Sequence, residues 1–130
     1  MKCIVLAAGK GTRMLPLTED IPKHLINVGG KPFLTHFLDI LKKAGYKEKD
    51  IGIVVSYKGE MIRKFLENKK FMGKVIDQGE PLGTGHAVLK AKEFVKNGNF
   101  VVINGDSIFS KEDLENIRKD DEYCYLTADP

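Results

Sequence analysis

The sequence predicts an α/β fold: an open, mainly parallel, doubly wound sheet with helices on both faces. Three observations predict it. Short, continuous apolar runs stand at residues 3–7, 51–55 and 100–103, as expected of strands buried on both faces. Stretches with helical apolar spacing lie between those runs. Strand and helix signals alternate from the first residue, which within one sheet calls for right-handed crossovers.

Cys3-Ile4-Val5-Leu6-Ala7 is the first strand, and a glycine-rich loop follows it to about residue 27. Phe33, Leu34, Phe37, Leu38 and Leu41 form one apolar stripe, predicting a helix over residues 33–44 that Gly45 stops. Residues 51–55 are the second strand. Residues 60–66 read as a short helix with Met61, Ile62, Phe65 and Leu66 facing inward. Val75-Ile76 marks a third, brief strand, and residues 85–95 read as one further helix. Phe100-Val101-Val102-Ile103 is a strand ending at Asn104-Gly105-Asp106. Ser110 can cap a helix running to Ile117, supported by Asp113, and residues 123–127 begin another strand. No repeat, low-complexity segment or linker divides the chain, so residues 1–130 read as a single Rossmann-like domain. In such sheets ligands sit at the carboxyl ends of the strands, where strand order switches. The places to search are therefore after Ala7, after Ile76 and after Ile103.

Composition narrows the classes. With 130 residues, 42% hydrophobic and 30% charged, the chain can build one ordinary core. Lys and Arg number 21 against 18 Asp and Glu, a net +3 spread without a dense basic block. That suits one polyphosphate pocket better than a nucleic-acid groove. Cys3 and Cys124 lie far apart in apolar runs without CxxC spacing, and read as buried thiols in a reducing compartment. Met1 to Ala8 runs at once into Gly9-Lys10-Gly11, unlike a signal peptide, and no apolar stretch reaches the ~18 residues of a membrane span. A cytoplasmic protein with no membrane and no nucleic-acid partner is expected.

The loop Leu6-Ala7-Ala8-Gly9-Lys10-Gly11-Thr12-Arg13-Met14 can bring successive backbone N–H groups against an anion. It is not a Walker A loop, because no Lys-Ser or Lys-Thr stands at the required spacing. It is not a dinucleotide GxGxxG either, since Met14 occupies the third glycine position. Gly29-Gly30-Lys31 also fails, with Pro32 where Ser or Thr should stand. On these glycines alone, a plain turn is as good a reading. Pro16 and Pro22 keep the segment extended and bring Arg13 and Lys23 toward the nest. Arg suits two phosphate oxygens at once; Lys is a mobile point charge.

The run L-A-A-G-K-G-T-R-M-x-P-L-T, followed by P-K-x-L-x-x-V-x-G-K-P, resembles the signature of the sugar nucleotidyltransferases. These include glucose-1-phosphate thymidylyltransferases and N-acetylglucosamine-1-phosphate uridylyltransferases. The resemblance implies a triphosphate loop at Gly9, Gly11, Thr12 and Arg13 and a phosphate-binding lysine at Lys23. His24 departs from the pattern, which usually has a proline or small residue there. The segment Gln78-Gly79-Glu80-Pro81-Leu82-Gly83-Thr84-Gly85-His86-Ala87 is similar to the family's Q-x-x-P-L-G-T-(A/G)-x-A. A glutamine amide carries a donor and an acceptor that can complement a uracil or thymine edge, and Gly83 leaves room for the ring. Thr84 belongs to the same loop, although capping the next helix is its bland alternative. Leu6, Ala7 and Ala8 complete the nucleotide set, with Leu6 and Ala8 beneath base and ribose. His86 and His36 read as packing or polar support, lacking metal-ligand partners at suitable spacing.

Asp106, just past the fourth strand, resembles the family's magnesium-binding aspartate; a turn or cap aspartate is the plain alternative. Asp77 and Asp129 lack such support. The implied reaction joins a nucleoside triphosphate, UTP or dTTP favoured, to a sugar 1-phosphate and releases pyrophosphate, with Mg2+ as cofactor. The family's domain is considerably longer, so a truncated nucleotide-binding half is expected, and a second metal ligand, the sugar and any homo-oligomer stay open. A non-catalytic nucleotide-binding or regulatory module is the rival. A response-regulator-like domain is disfavoured, because no acidic pair follows the first strand.

Overall fold

A strand apolar on both faces must lie inside a sheet, and β1 (Lys2–Ala7) does. In the computed structural model, which describes residues 1–7, 21–56, 58–80 and 82–105, it pairs in parallel on both sides. Val5 faces Ile53 of β4 (Ile51–Val55) on one side and Ile103 of β6 (Phe100–Asn104) on the other. β5 (Lys74–Asp77) lies outside β4, with Ile76 opposite Val54. The order β5-β4-β1-β6 means that the chain winds outward from β1 and then returns to its other side. The switch in strand order falls at β1.

Period-two alternation sends neighbouring β1 residues into different layers. Cys3, Val5 and Ala7 meet α1 (Phe33–Lys43) and α2 (Gly59–Asn68) through Leu34, Phe37, Leu38, Leu41, Ile62 and Leu66. Ile4 and Val54 meet α3 (Thr84–Lys90) and α4 (Lys92–Val95) through Ala87, Ala91 and Val95. Helices therefore cover both faces, as expected. Leu41 and Ile62 lose all solvent contact, a burial that contributes roughly 1.5–3 kcal/mol per side chain. Gly45, at φ +101°, ends α1 with its N–H donated to Lys42 O at 3.0 Å.

Several elements differ from the sequence expectation. A hairpin of β2 (Asn27–Val28) and β3 (Lys31–Pro32) fills the stretch between the end of the loop and α1, to which the sequence assigned no element. Gly29 and Gly30, at φ +60° and +89°, supply the two positive angles that a two-residue hairpin turn needs. His36 Nε2 contacts Val28 O at 2.6 Å, and Lys31 pairs with Asp39 at 3.1 Å, so α1 holds the hairpin. The single helix over 85–95 is two, broken at Ala91. The break sets the Phe94 ring over Gly52, where an added Cβ would come within 2.9 Å of it. Met61 is exposed, because Ile62, Phe65 and Leu66 already complete the inward stripe. β6 is half exposed rather than buried, with Phe100 and Val102 open to solvent; among the described residues it pairs with β1 alone. The expected helix over 110–117 and strand over 123–127 lie outside the described residues.

Candidate functional site

The carboxyl ends of β1 and β6 meet at the switch point. Gly105 N–H donates to Leu6 O at 2.8 Å, carrying the ladder one residue beyond β6. Leu6 is half-buried, while Ala7 is buried in the α1/α2 core and has only its main chain to offer a ligand. Asp106 follows Gly105 and, like Ala8, Gly9, Gly11, Thr12 and Arg13, lies outside the described residues.

Pro22 is extended, as its ring requires, at φ −67° and ψ 149°. The extended reading stops there, because Lys23–Leu25 form one 3-10 turn. That turn leaves Lys23 half-buried and puts His24 into the interior, 1% exposed. The imidazole stands against Gly105: a Cβ there would lie 2.9 Å from His24 Nε2 and 2.9 Å from Leu6 O. The Lys23–Leu25 turn, the end of β1 and the residue before Asp106 thus come together. His24 read as a tolerated departure in the sequence; it fills the space between these segments.

The second part forms beyond β4 and β5. Gln78 N–H donates to Val55 O at 2.8 Å, extending that ladder. Asp77 Oδ1 accepts Gly79 N–H at 2.9 Å, and Ser56 Oγ donates to Gly79 O at 3.0 Å. Asp77 is therefore a turn aspartate here. The Gln78 side chain is buried, and its Nε2 lies 3.2 Å from Gly83 O and 3.2 Å from His86 Nδ1. Gly83, at φ +104°, is the N-cap of α3, and its carbonyl also accepts Ala87 N–H at 3.1 Å. Thr84 opens the helix, exposed and without a capping bond, so the capping alternative for it does not hold. His86 gives polar support to Gln78, as expected for its class, though nothing in the sequence named that partner.

Electrostatics exclude one nucleophile. Burial pushes the Cys3 thiol up to about 12, so it stays neutral and is neither attacking group nor metal ligand. Cys124 lies outside the described residues. Among the described residues no group of three or more His, Cys, Asp or Glu could hold a metal ion, and no helix is long and apolar enough to cross a membrane.

A family model described as nucleotidyl transferase matches residues 2–123. The bifunctional protein GlmU of Methanococcus aeolicus is 44% identical over 98% of this chain and 29% of its own length. The D-glycero-alpha-D-manno-heptose 1-phosphate guanylyltransferase of Campylobacter jejuni is 41% identical over 84% of this chain and 49% of its own. Among solved structures, a UDP-glucose pyrophosphorylase complexed with UDP-glucose superposes with a TM-score of 0.72 at 25% identity, covering 91% of this chain and 52% of that one. The chain therefore spans about half, or less, of the proteins it matches. The family model spans nearly the whole chain, and the relatives beside it are sugar-phosphate nucleotidyltransferases and a UDP-glucose pyrophosphorylase: the chain belongs to the nucleotidyl transferase family.

Proposed function

We propose that residues 1–130 are the nucleotide-binding part of a single nucleotidyltransferase domain, which binds a nucleoside triphosphate and presents its α-phosphorus to a sugar 1-phosphate, in the cytoplasm. One observation carries this reading: the Lys23 turn, the end of β1 and the Gly105 turn converge where strand order switches. In the reaction an oxygen of the sugar 1-phosphate forms a bond to the α-phosphorus. The bond from that phosphorus to the bridging oxygen breaks, and pyrophosphate leaves with the electron pair. The nucleophile is already ionised at neutral pH, so the protein supplies alignment and charge rather than a base. In this reading Lys23 neutralises the α-phosphoryl oxygens, and Arg13 with the amides of Gly9, Gly11 and Thr12 stabilises the departing β and γ phosphates.

Mg2+ fits as an ion carried in largely by the nucleotide. Asp106 is one hard oxygen donor beside Gly105, and the described residues add no cluster to it. When bound, the ion neutralises phosphate charge. In the same reading Leu6 and Ala8 support base and ribose, Ala7 and Thr84 contribute main-chain groups, and Gln78 with Gly83 reads the base. UTP or dTTP is favoured. GTP presents the same kind of ring N–H, and the proteins this chain resembles include both a guanylyltransferase and a UDP-glucose pyrophosphorylase.

The test is titration of the full chain with UTP, dTTP, GTP, ATP and CTP in the presence of Mg2+. Tighter binding of UTP or dTTP than of ATP and CTP is expected; equal or tighter binding of ATP would overturn it. Because the chain covers at most about half of these relatives, binding without transfer is the second reading. Pyrophosphate release from UTP and glucose 1-phosphate or N-acetylglucosamine 1-phosphate separates the two.

A further inference from the structure

The contacts of Gln78 determine which way round its amide lies. Gly83 O can only accept, so the amide atom 3.2 Å from it must be nitrogen. The same Nε2 lies 3.2 Å from His86 Nδ1, so that ring nitrogen must accept as well. A neutral imidazole with an acceptor at Nδ1 carries its proton on Nε2. Both amide hydrogens are then committed to the protein. Among the described residues, Gln78 Oε1 makes no hydrogen bond. The amide has an acceptor left and no donor.

We propose that His86 is the positioning residue for base selection: it locks Gln78 so that only Oε1 is offered to the ring. An acceptor fixed in this way selects a base whose pairing edge carries a protonated ring nitrogen, namely uracil, thymine or guanine. Adenine and cytosine present ring nitrogens with lone pairs at that place and are repelled. The inference rests on Gln78 being the base reader. Without the His86 acceptor the amide can turn over, present Nε2–H and accommodate adenine.

The experiment compares His86→Phe, His86→Asn and Gln78→Leu in the full chain, titrated with UTP, ATP and inorganic tripolyphosphate. Asn can place its side-chain oxygen near where Nδ1 stands. His86→Phe should reduce the preference for UTP over ATP by about five- to tenfold, the scale of one hydrogen bond. Tripolyphosphate affinity should hold, and His86→Asn should restore most of the preference. Gln78→Leu separates the two ideas: if it keeps the preference, Gln78 is not the base reader and the reading beneath this one fails. If Gln78→Leu loses the preference while His86→Phe keeps it, or Asn does not rescue, the His86 proposal is overturned. Nitrogen NMR of the ring at mildly alkaline pH gives a check on the wild type that needs no variant to fold. A proton on Nε2 is expected, and one on Nδ1 overturns the assignment.

Discussion

Gly105 has no room for a side chain because His24 occupies it: an added Cβ would stand 2.9 Å from His24 Nε2 and 3.1 Å from Cδ2. The imidazole is buried and cannot swing into solvent, and Leu6 O closes the other side at 2.9 Å. Gly105→Ala should therefore cost roughly 1–3 kcal/mol of stability, the usual range for overpacking. His24→Ala in that background should recover part of the loss, since one of the two obstacles is removed. A denaturant double-mutant cycle measures the coupling, and strictly additive effects would show that the two residues do not press on each other.

Two other glycines are expected to differ sharply. A Cβ at Gly73 would meet Ile51 O at 2.3 Å and Glu48 O at 2.7 Å, both backbone atoms that cannot yield separately. At Gly52 it would meet only side chains, the Phe94 ring at 2.9 Å and Ile4 Cδ1 at 3.3 Å. Gly73→Ala should cost about 3 kcal/mol, and Gly52→Ala nearer 1 kcal/mol, the two ends of the overpacking range. Urea midpoints of the two variants rank them.

Cys3 predicts a pH dependence. Its folded value of about 12 lies above the ordinary 9.0, so the folded state holds the thiol proton more tightly. The associated stabilisation is complete below pH 9.0 and is lost as pH rises toward about 12. The limiting slope is about 1.4 kcal/mol per pH unit. Urea midpoints should fall across this window in wild type and fall less steeply in Cys3→Ala. Iodoacetamide should spare Cys3 in the folded chain, as peptide mapping that separates it from Cys124 would reveal.

Arg13→Ala should lower kcat about a hundredfold or more in a chain competent for turnover, the scale of one charge-stabilising group. Nucleotide affinity should change less. Near-normal turnover would make Arg13 a surface charge.

Asp106→Asn removes a charge at nearly constant size. It should abolish the strengthening of UTP binding by Mg2+ while leaving binding in chelator nearly intact. A mutant retaining the full magnesium effect would place the metal elsewhere.

Legibility in the sequence followed how local each determinant was. β1, β4 and α1 could be read because burial on both faces, or on one stripe, is written in consecutive residues. The hairpin escaped because Gly29-Gly30 was weighed as a phosphate loop, although its two positive φ angles also fit a two-residue turn. The break at Ala91 has no breaker residue; packing of Phe94 over Gly52 accompanies it. Gln78 could be proposed from side-chain chemistry, but its pairing with His86 depends on the φ of +104° at Gly83 and could not be read. His24 showed only as a residue unlike its family pattern, because its neighbour, Gly105, lies far along the chain.

The register of β1 has a consequence for biosynthesis. Cys3 must wait for Ile51 before one flank is paired, and for Val101 before the other is. On a ribosome, β1 therefore keeps an open, apolar edge until residues 100–104 have been made. Pairing of that kind is slow to close and vulnerable to association with other nascent chains. Gly105 leaves the exit tunnel just after the strand that closes this edge. The half of the rim next to β6 can thus form only once the sheet is sealed, and an incomplete nascent chain should not yet have the proposed triphosphate site.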